Sequence, residues 1–289
     1  MMIRKNYSFA GVEISIIMPS DIMYTDDRCL SHFATDAVTE PHEFTFELTD
    51  SMPAPLGDLI AKTPSFAVYR QNGTVSRYIG VVENGPENAY ICAVYSGREH
   101  TVKVKTSRIA DRVGTHTALT AIAAEHLICQ NNGVVFHCSF IDVGGKAVLF
   151  TAPSETGKST QARLWAEKRN ADIINGDRAA IRLIDGNLYA AGIPFSGSSH
   201  DCKNRTLPLA AVVYLRQAPT TSIRRMKGYV AFSKIWEGVS VNSWDKSDME
   251  KASEIVERLA RSVPVYYMPC TPDESAVIAL ENALKGENQ

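Results

Sequence analysis

The chain lacks most of what marks a secreted scaffold, a membrane protein or a nucleic-acid binder. Its six cysteines (Cys29, Cys92, Cys129, Cys138, Cys202, Cys270) are scattered over 289 residues with no Cys-x-x-Cys pair. Neither a zinc site nor a disulfide framework is indicated, and free thiols in a reducing cytoplasm are expected. No apolar run approaches the ~20 residues that span a bilayer. The opening Met1-Met-Ile-Arg-Lys-Asn-Tyr-Ser has basic residues without the apolar stretch of a signal peptide behind them. Charge of one sign is also scarce: 30 Lys and Arg stand against 32 Asp and Glu, for a net charge of −2. That balance argues against nucleic acid as a partner. The basic cluster Arg224, Arg225 and Lys227 reads as a solvated surface turn. What remains, 45% hydrophobic and 21% charged residues, describes an ordinary globular protein of one large domain or two modest ones. A cytoplasmic protein with no membrane partner is expected.

The first hundred residues read as strands. Alternating or β-branched character runs over 9–18 and 43–48. Residues 66–69 lead through Asn72-Gly73 into 75–82, and Asn-Gly between two such runs signals a hairpin. A second hairpin is expected from 90–95 through Ser96-Gly97 to 101–105. A single helix then covers 117–130, with Leu119, Ile122, Leu127 and Ile128 at helical spacing and Gly133 at its end. The expected division is a β-rich domain over 1–112 and a second domain over 113–289. In the second, strands are expected over 134–143, 146–151, 172–175, 179–184, 188–190 and 209–215. Ser247-x-x-Glu250 reads as a capping box opening a helix to about Ser262. Thr271-Pro272-Asp273-Glu274 opens a last helix, with Pro at the first helical position, that Gly286 stops. The fold class is α/β in this part and α+β overall.

The run Lys146-Ala-Val-Leu-Phe-Thr-Ala-Pro-Ser-Glu-Thr-Gly-Lys-Ser-Thr160 carries the most chemistry. Val148, Leu149 and Phe150 suit a buried strand and 159–168 suits a helix, with a tight loop ending in Gly157-Lys158-Ser159 between them. Strand, loop and helix in that order form a phosphate-binding P-loop. The backbone of Ala152, Pro153, Ser154, Glu155, Thr156, Gly157, Lys158, Ser159 and Thr160 would surround the phosphates of a nucleotide. Lys158 would place its charge near the β- and γ-phosphates, and the Ser159 hydroxyl would ligate Mg²⁺. Two positions depart from the pattern: Ala152 stands where it asks for Gly, and Glu155 brings an acidic side chain to the loop. An ordinary strand-turn-helix crossing is the bland alternative.

A nucleotide site also needs a carboxylate for Mg²⁺ or for the nucleophile. Asp172-Ile-Ile-Asn-Gly-Asp177 ends a short apolar strand nineteen positions after Lys158, which would set Asp177 beside Ser159. Asn-Gly-Asp as a plain surface turn is the alternative. His137, in the apolar Val134-Val-Phe-His-Cys-Ser139, is by spacing alone more readily a core residue than a functional one. The segment Gly192-Ile-Pro-Phe-Ser-Gly-Ser-Ser-His200, followed by Lys203, Asn204 and Arg205, suits a loop closing over a phosphate or acceptor, and equally any long loop.

His137-Cys-Ser-Phe-Ile-Asp, the phosphate loop and Ile173-Ile-Asn-Gly-Asp-Arg178 resemble, in order and spacing, the HPr serine kinase/phosphorylase catalytic domain. That fold is shared more distantly with phosphoenolpyruvate carboxykinase. Gly192-Ile-Pro-Phe195 and Pro208-Leu-Ala-Ala211 are similar to a loop and strand of bacterial HPr-kinase-related proteins. The resemblance covers residues 134–285; 1–110 carries no motif. It implies an HPr-kinase-like P-loop domain preceded by a β-rich domain, and an ATP-dependent kinase. The implied reaction is Mg-ATP-dependent phosphoryl transfer to a hydroxyl, on a serine of a protein or peptide. ATP and Mg²⁺ would be the cofactors. Asp177, His137 and Lys158 would be catalytic, and Ser159 and Asp177 would hold the metal.

Three departures qualify the resemblance. The family's Asp-Asp pair is Gly176-Asp177 here, so Asp177 must do both jobs or another group must deprotonate the acceptor. Glu155 replaces a loop glycine, at roughly 1–2 kcal/mol if left-handed. The phosphorylase-associated motif has no convincing counterpart. Two other readings stay open: a small-molecule kinase or carboxykinase-like enzyme on the same fold, and a nucleotide-binding regulator or scaffold without transferase activity. Family members assemble, which leaves a homo-oligomer open.

Overall fold

A computed structural model of the chain describes residues 1–20, 28–107 and 115–286, which divide into two compact units, Met1–Ala124 and Glu125–Gln289. The division expected near residue 112 lies outside the described residues. The first unit contains the strands β1 (Met2–Phe9), β2 (Val12–Pro19), β3 (His42–Thr49), β4 (Asp58–Lys62), β5 (Phe66–Gln71), β6 (Thr74–Gly80), β7 (Ala89–Ser96) and β8 (Glu99–Lys105), with the short helices α1 (Arg28–Ser31) and α2 (Thr115–Ala121). The strands form a sheet in the order β1-β2-β3-β8-β7-β6-β5-β4, parallel at β2–β3 and β3–β8. The β5–β6 hairpin turns on Asn72 and Gly73, both at positive φ (50° and 82°), which matches the right-handed twist of the flanking strands. The run expected as one strand over 9–18 is instead broken by a turn at Ala10 (φ 48°) and Gly11 (φ 74°). Alanine is no turn signal, and the pairing of β1 with β2 imposes that conformation on it.

Helix α3 (Ala124–Gln130) leads into the second unit. Next come β9 (Gly133–His137), β10 (Ser139–Val143), β11 (Lys146–Thr151), α4 (Lys158–Arg169), β12 (Asp172–Asn175), β13 (Arg178–Ile184), β14 (Asn187–Gly192) and β15 (Thr206–Gln217). The unit continues with β16 (Arg224–Met226), α5 (Gly228–Trp236), β17 (Val239–Ser240), α6 (Lys246–Ser262), β18 (Val265–Cys270) and α7 (Glu274–Gly286). The sheet runs β12-β10-β11-β15-β14-β13-β9-β17, with β18 paired to β15 and β16 to β18. β11, β15 and β18 are parallel. Alternation along them buries both faces. Val148, Phe150, Val213 and Leu215 pack with Trp165 of α4 and Leu280 of α7. Ala147, Leu149, Val212 and Tyr214 pack with Ile235 of α5 and Leu259 of α6. A parallel sheet covered on both sides explains why these strands read as continuous apolar runs.

Several expectations are corrected. The helix over 117–130 is two helices, interrupted where Ala123 takes φ 53°. The strand over 134–143 is two strands parted at Cys138: β9 pairs with β13 and β17, whereas β10 pairs with β11 and β12. Asp245, not Ser247, caps α6, its Oδ1 accepting the N–H groups of Ser247 and Asp248 at 3.0 and 3.2 Å. α7 starts two residues after Pro272, with Asp273 Oδ1 accepting Ser275 N–H at 2.9 Å. Cys92, Cys129, Cys138 and Cys270 are buried free thiols. Among the described residues, no helix is long and apolar enough to cross a membrane.

The early start of α6 puts Asp248 inside its first turn, with a side chain fully shielded from solvent. Its carboxylate lies 2.8 Å from His126 Nδ1 and accepts from Gln130 Nε2 at 2.8 Å and Asn242 Nδ2 at 3.3 Å. It therefore clamps α3 to α6. Asp248→Ala leaves these groups without their acceptor and is expected to cost about 3 kcal/mol, read as a lower denaturant midpoint at unchanged slope. A loss under about 1 kcal/mol would show that water replaces the carboxylate.

Candidate active site

After Thr151 the chain turns through 152–157 into α4 using two left-handed residues, Glu155 (φ 63°) and Gly157 (φ 113°). Nothing lies within 4 Å of where a Cβ on Gly157 would stand, so the space there is open. Glu155 bears the strain anticipated for a non-glycine residue, about 1–2 kcal/mol. Its side chain is exposed, and its carbonyl accepts from Gln217 Nε2 at 3.2 Å. Gly157 caps α4 without a side-chain acceptor, which leaves first-turn N–H groups free of a side-chain partner. Lys158 is only 8% exposed. Its ammonium donates to the carbonyls of Ala152 (3.1 Å) and Pro153 (3.3 Å) and forms no ion pair with a carboxylate among the described residues. Burial pushes the Lys158 pKa down, with the negative charge of Asp177 working the other way. Ser159 is half-buried and Thr160 exposed.

At the end of β12, Asn175 is buried, so Asn-Gly-Asp is not a surface turn. Asn175 Oδ1 accepts the N–H groups of Asp177 and Arg178, both at 2.9 Å, and Nδ2 donates to the Ile193 carbonyl at 2.9 Å. Cys138 N–H donates to the Asp177 carbonyl (3.0 Å) and Ser139 Oγ to the Gly176 carbonyl (3.0 Å). Thr151 Oγ1 donates to the His137 carbonyl at 3.0 Å, tying the β9–β10 junction to the end of β11. These bonds bring the charged groups together. His137 Nε2 lies 3.5 Å from Asp177 Oδ1, and Arg178 Nε 3.5 Å from Asp177 Oδ2. Hydrogen bonding with His137 holds the Asp177 carboxyl below its ordinary range; partial burial opposes this, and the charges of Arg178 and Lys158 reinforce it. Arg178 also lies 3.6 Å from Glu125 Oε1 and 5.2 Å over the Phe195 ring. Sequence reasoning missed Asn175, Arg178 and Glu125 as site residues. Asn175 had a signal in its turn chemistry; Glu125 had none.

The turn Gly197–Ser199 sits directly on this junction. A Cβ on Gly176 would come within 2.0 Å of Ser199 Oγ, and a Cβ on Gly197 within 2.8 Å of Asp177 Cγ. The space that a second carboxylate at position 176 would occupy is therefore filled. Lys203 pairs with Asp172, and Arg205 bridges Asp172 (3.1 Å) and Asp142 (2.7 Å), so these cations are committed to carboxylates. Among the described residues, no three His, Cys, Asp or Glu side chains group as a metal centre.

No family model matches the chain, and no curated protein matches it. Among solved structures it is similar to the Hpr(Ser) kinase/phosphatase from Coxiella burnetii, at 13% identity over 53% of this chain and 94% of that one, with a TM-score of 0.31. Overlap at that level carries no conclusion about activity, which has to be reached from the geometry of the site.

Gly176→Asp is expected to lower the melting temperature by about 5 °C through overlap with Ser199, and Ser199→Gly in the same chain to recover about half of it. Equal losses with and without Ser199→Gly would place the conflict elsewhere. Because the folded Asp177 carboxyl ionises more readily than in the unfolded chain, it contributes stability above about pH 4 that is lost as pH falls through its lower folded value. The stability gap between the protein and its Asp177→Asn variant should therefore shrink below about pH 4. Denaturant titrations across that range check the sign, and a gap that widens on acidification would contradict it.

Proposed function

We propose that this chain is a kinase that binds Mg-ATP at the 152–160 loop and transfers a phosphoryl group to a hydroxyl, best read as a serine of a protein or peptide. The observation that carries the reading is Lys158: a buried ammonium at the start of a helix without a side-chain cap, held only by two carbonyl oxygens. A buried ammonium with no carboxylate in direct ion-pair contact is costly, and a polyphosphate would supply a directly paired anion. The open space at Gly157 fits such a group. Ser159 and Asp177 offer the hard oxygen donors that Mg²⁺ takes, and Mg²⁺ would neutralise charge on the transferred group. A carboxyl held below its ordinary range is a weak base, so Asp177 is suited to orienting the acceptor hydroxyl, with His137 fixing the carboxylate. Phosphoryl transfer depends on in-line positioning and charge neutralisation more than on a strong base, which a single carboxylate can serve.

One observation favours a second reading, a nucleotide-binding regulator without transfer: the turn Gly197–Ser199 packs against Asp177 and fills the place of a second carboxylate. Incubation of source-cell extract with γ-labelled ATP and Mg²⁺ separates the two. The protein should label a polypeptide, and Lys158→Ala should reduce labelling at least about 100-fold. Label confined to small molecules would make the acceptor a metabolite. Undiminished labelling by Lys158→Ala would remove the loop from the reaction.

A further inference from the structure

A cleft of about 480 Å³ opens beside the same loop, starting at Pro153 and Thr156. Its floor is a register row across three strands: Tyr214 of β15 pairs with Tyr267 of β18, and Tyr267 with Arg224 of β16. The two rings are stacked at 27° with centroids 6.4 Å apart. The Arg224 guanidinium lies 4.9 Å over the Tyr267 ring, and Arg216 Nη1 donates to the Tyr267 hydroxyl at 3.3 Å. Neither arginine is paired with a carboxylate among the described residues. On the α5 side Lys234 lies 4.7 Å from the Tyr214 ring centroid, but its charge is met by Glu237 at 2.7 Å.

We propose that this cleft holds the nucleoside of the nucleotide whose phosphates occupy the 152–160 loop, an inference that rests on the phosphate-loop reading. The cleft is continuous with the loop, so a base in it stays within reach of phosphates bound there. Its chemistry is that of a stacking platform: a guanidinium over one tyrosine ring, beside a second ring, suits a flat base. The two unpaired arginines also place positive charge where a polyphosphate arrives. An acidic segment of the acceptor would match the arginines but would make no use of the flat rings.

Calorimetric titration of the full chain with ATP and with inorganic tripolyphosphate, both with Mg²⁺, tests this. The protein should bind ATP about tenfold more tightly than tripolyphosphate. Tyr267→Ala and Arg224→Gln should each remove most of that advantage while tripolyphosphate still binds, which also shows that the variants fold. Equal affinity of the unaltered protein for the two ligands, or an advantage that survives both substitutions, would overturn the cleft as a nucleoside site. Failure of the unaltered protein to bind either ligand would instead overturn the phosphate-loop reading, and the cleft assignment with it.

Discussion

The Asn175 side chain, wholly shielded from solvent, accepts two backbone N–H groups on one side and donates to the Ile193 carbonyl on the other. An unpartnered amide at such a depth costs about 1–3 kcal/mol, so the three bonds stand or fall together. They compel β12 to end where it does and reverse the chain into β13. They also place Asp177 and Arg178 side by side and hold the 193 segment over them. His137 then meets Asp177 because the β9–β10 junction is bonded to the same turn through Cys138 and Ser139. Each charged group of the candidate site is thus positioned through backbone atoms. That suits side chains whose own charges have to remain available.

The loop beside this junction is less favourable in itself. Glu155 is left-handed at about 1–2 kcal/mol, and Lys158 is buried with only carbonyl oxygens to meet its charge. What outweighs these costs is the sheet beneath. Leu149 and Phe150 are fully buried, each contributing about 1.5–3 kcal/mol, and they pack toward opposite faces against different helices. A loop anchored by a strand of that kind at one end and a twelve-residue helix at the other keeps its strained turn. Local strain carried at a rigid junction is where ligand-binding geometry is often found.

Parts of both units were legible because their elements repeat simple rules. The apolar run 147–150 before a Gly-Lys-Ser turn was enough to place β11 and α4, and the Asn72-Gly73 pair was enough to place the β5–β6 hairpin. Errors fell where one continuous pattern is divided by pairing. Cys138 is as apolar as its neighbours, yet it separates two strands with different partners. Ala123 is a good helix former, yet it breaks a helix at a left-handed conformation. In both cases the fold overrides the local pattern, at Ala123 against a left-handed cost of about 1–2 kcal/mol. The cap of α6 was displaced for a related reason. Ser247 and Asp245 are both fair caps, and burial of Asp248 against His126, Gln130 and Asn242 favours the earlier start.

The sequence by itself determined that this is a mixed α/β chain with a strand-loop-helix unit ending in Gly157-Lys158-Ser159, since apolar periodicity and turn chemistry are local properties. By type and spacing it also singled out Lys158 and Asp177 as candidates, and His137 only through the resemblance. Only the tertiary structure decided which of them meet. The contact of His137 with Asp177, the Ser199 hydroxyl in the space at Gly176, and the row Tyr214, Tyr267 and Arg224 join segments far apart along the chain. Such contacts arise from strand order and register. These follow from how all the buried faces pack at once, and no window of neighbouring residues records that.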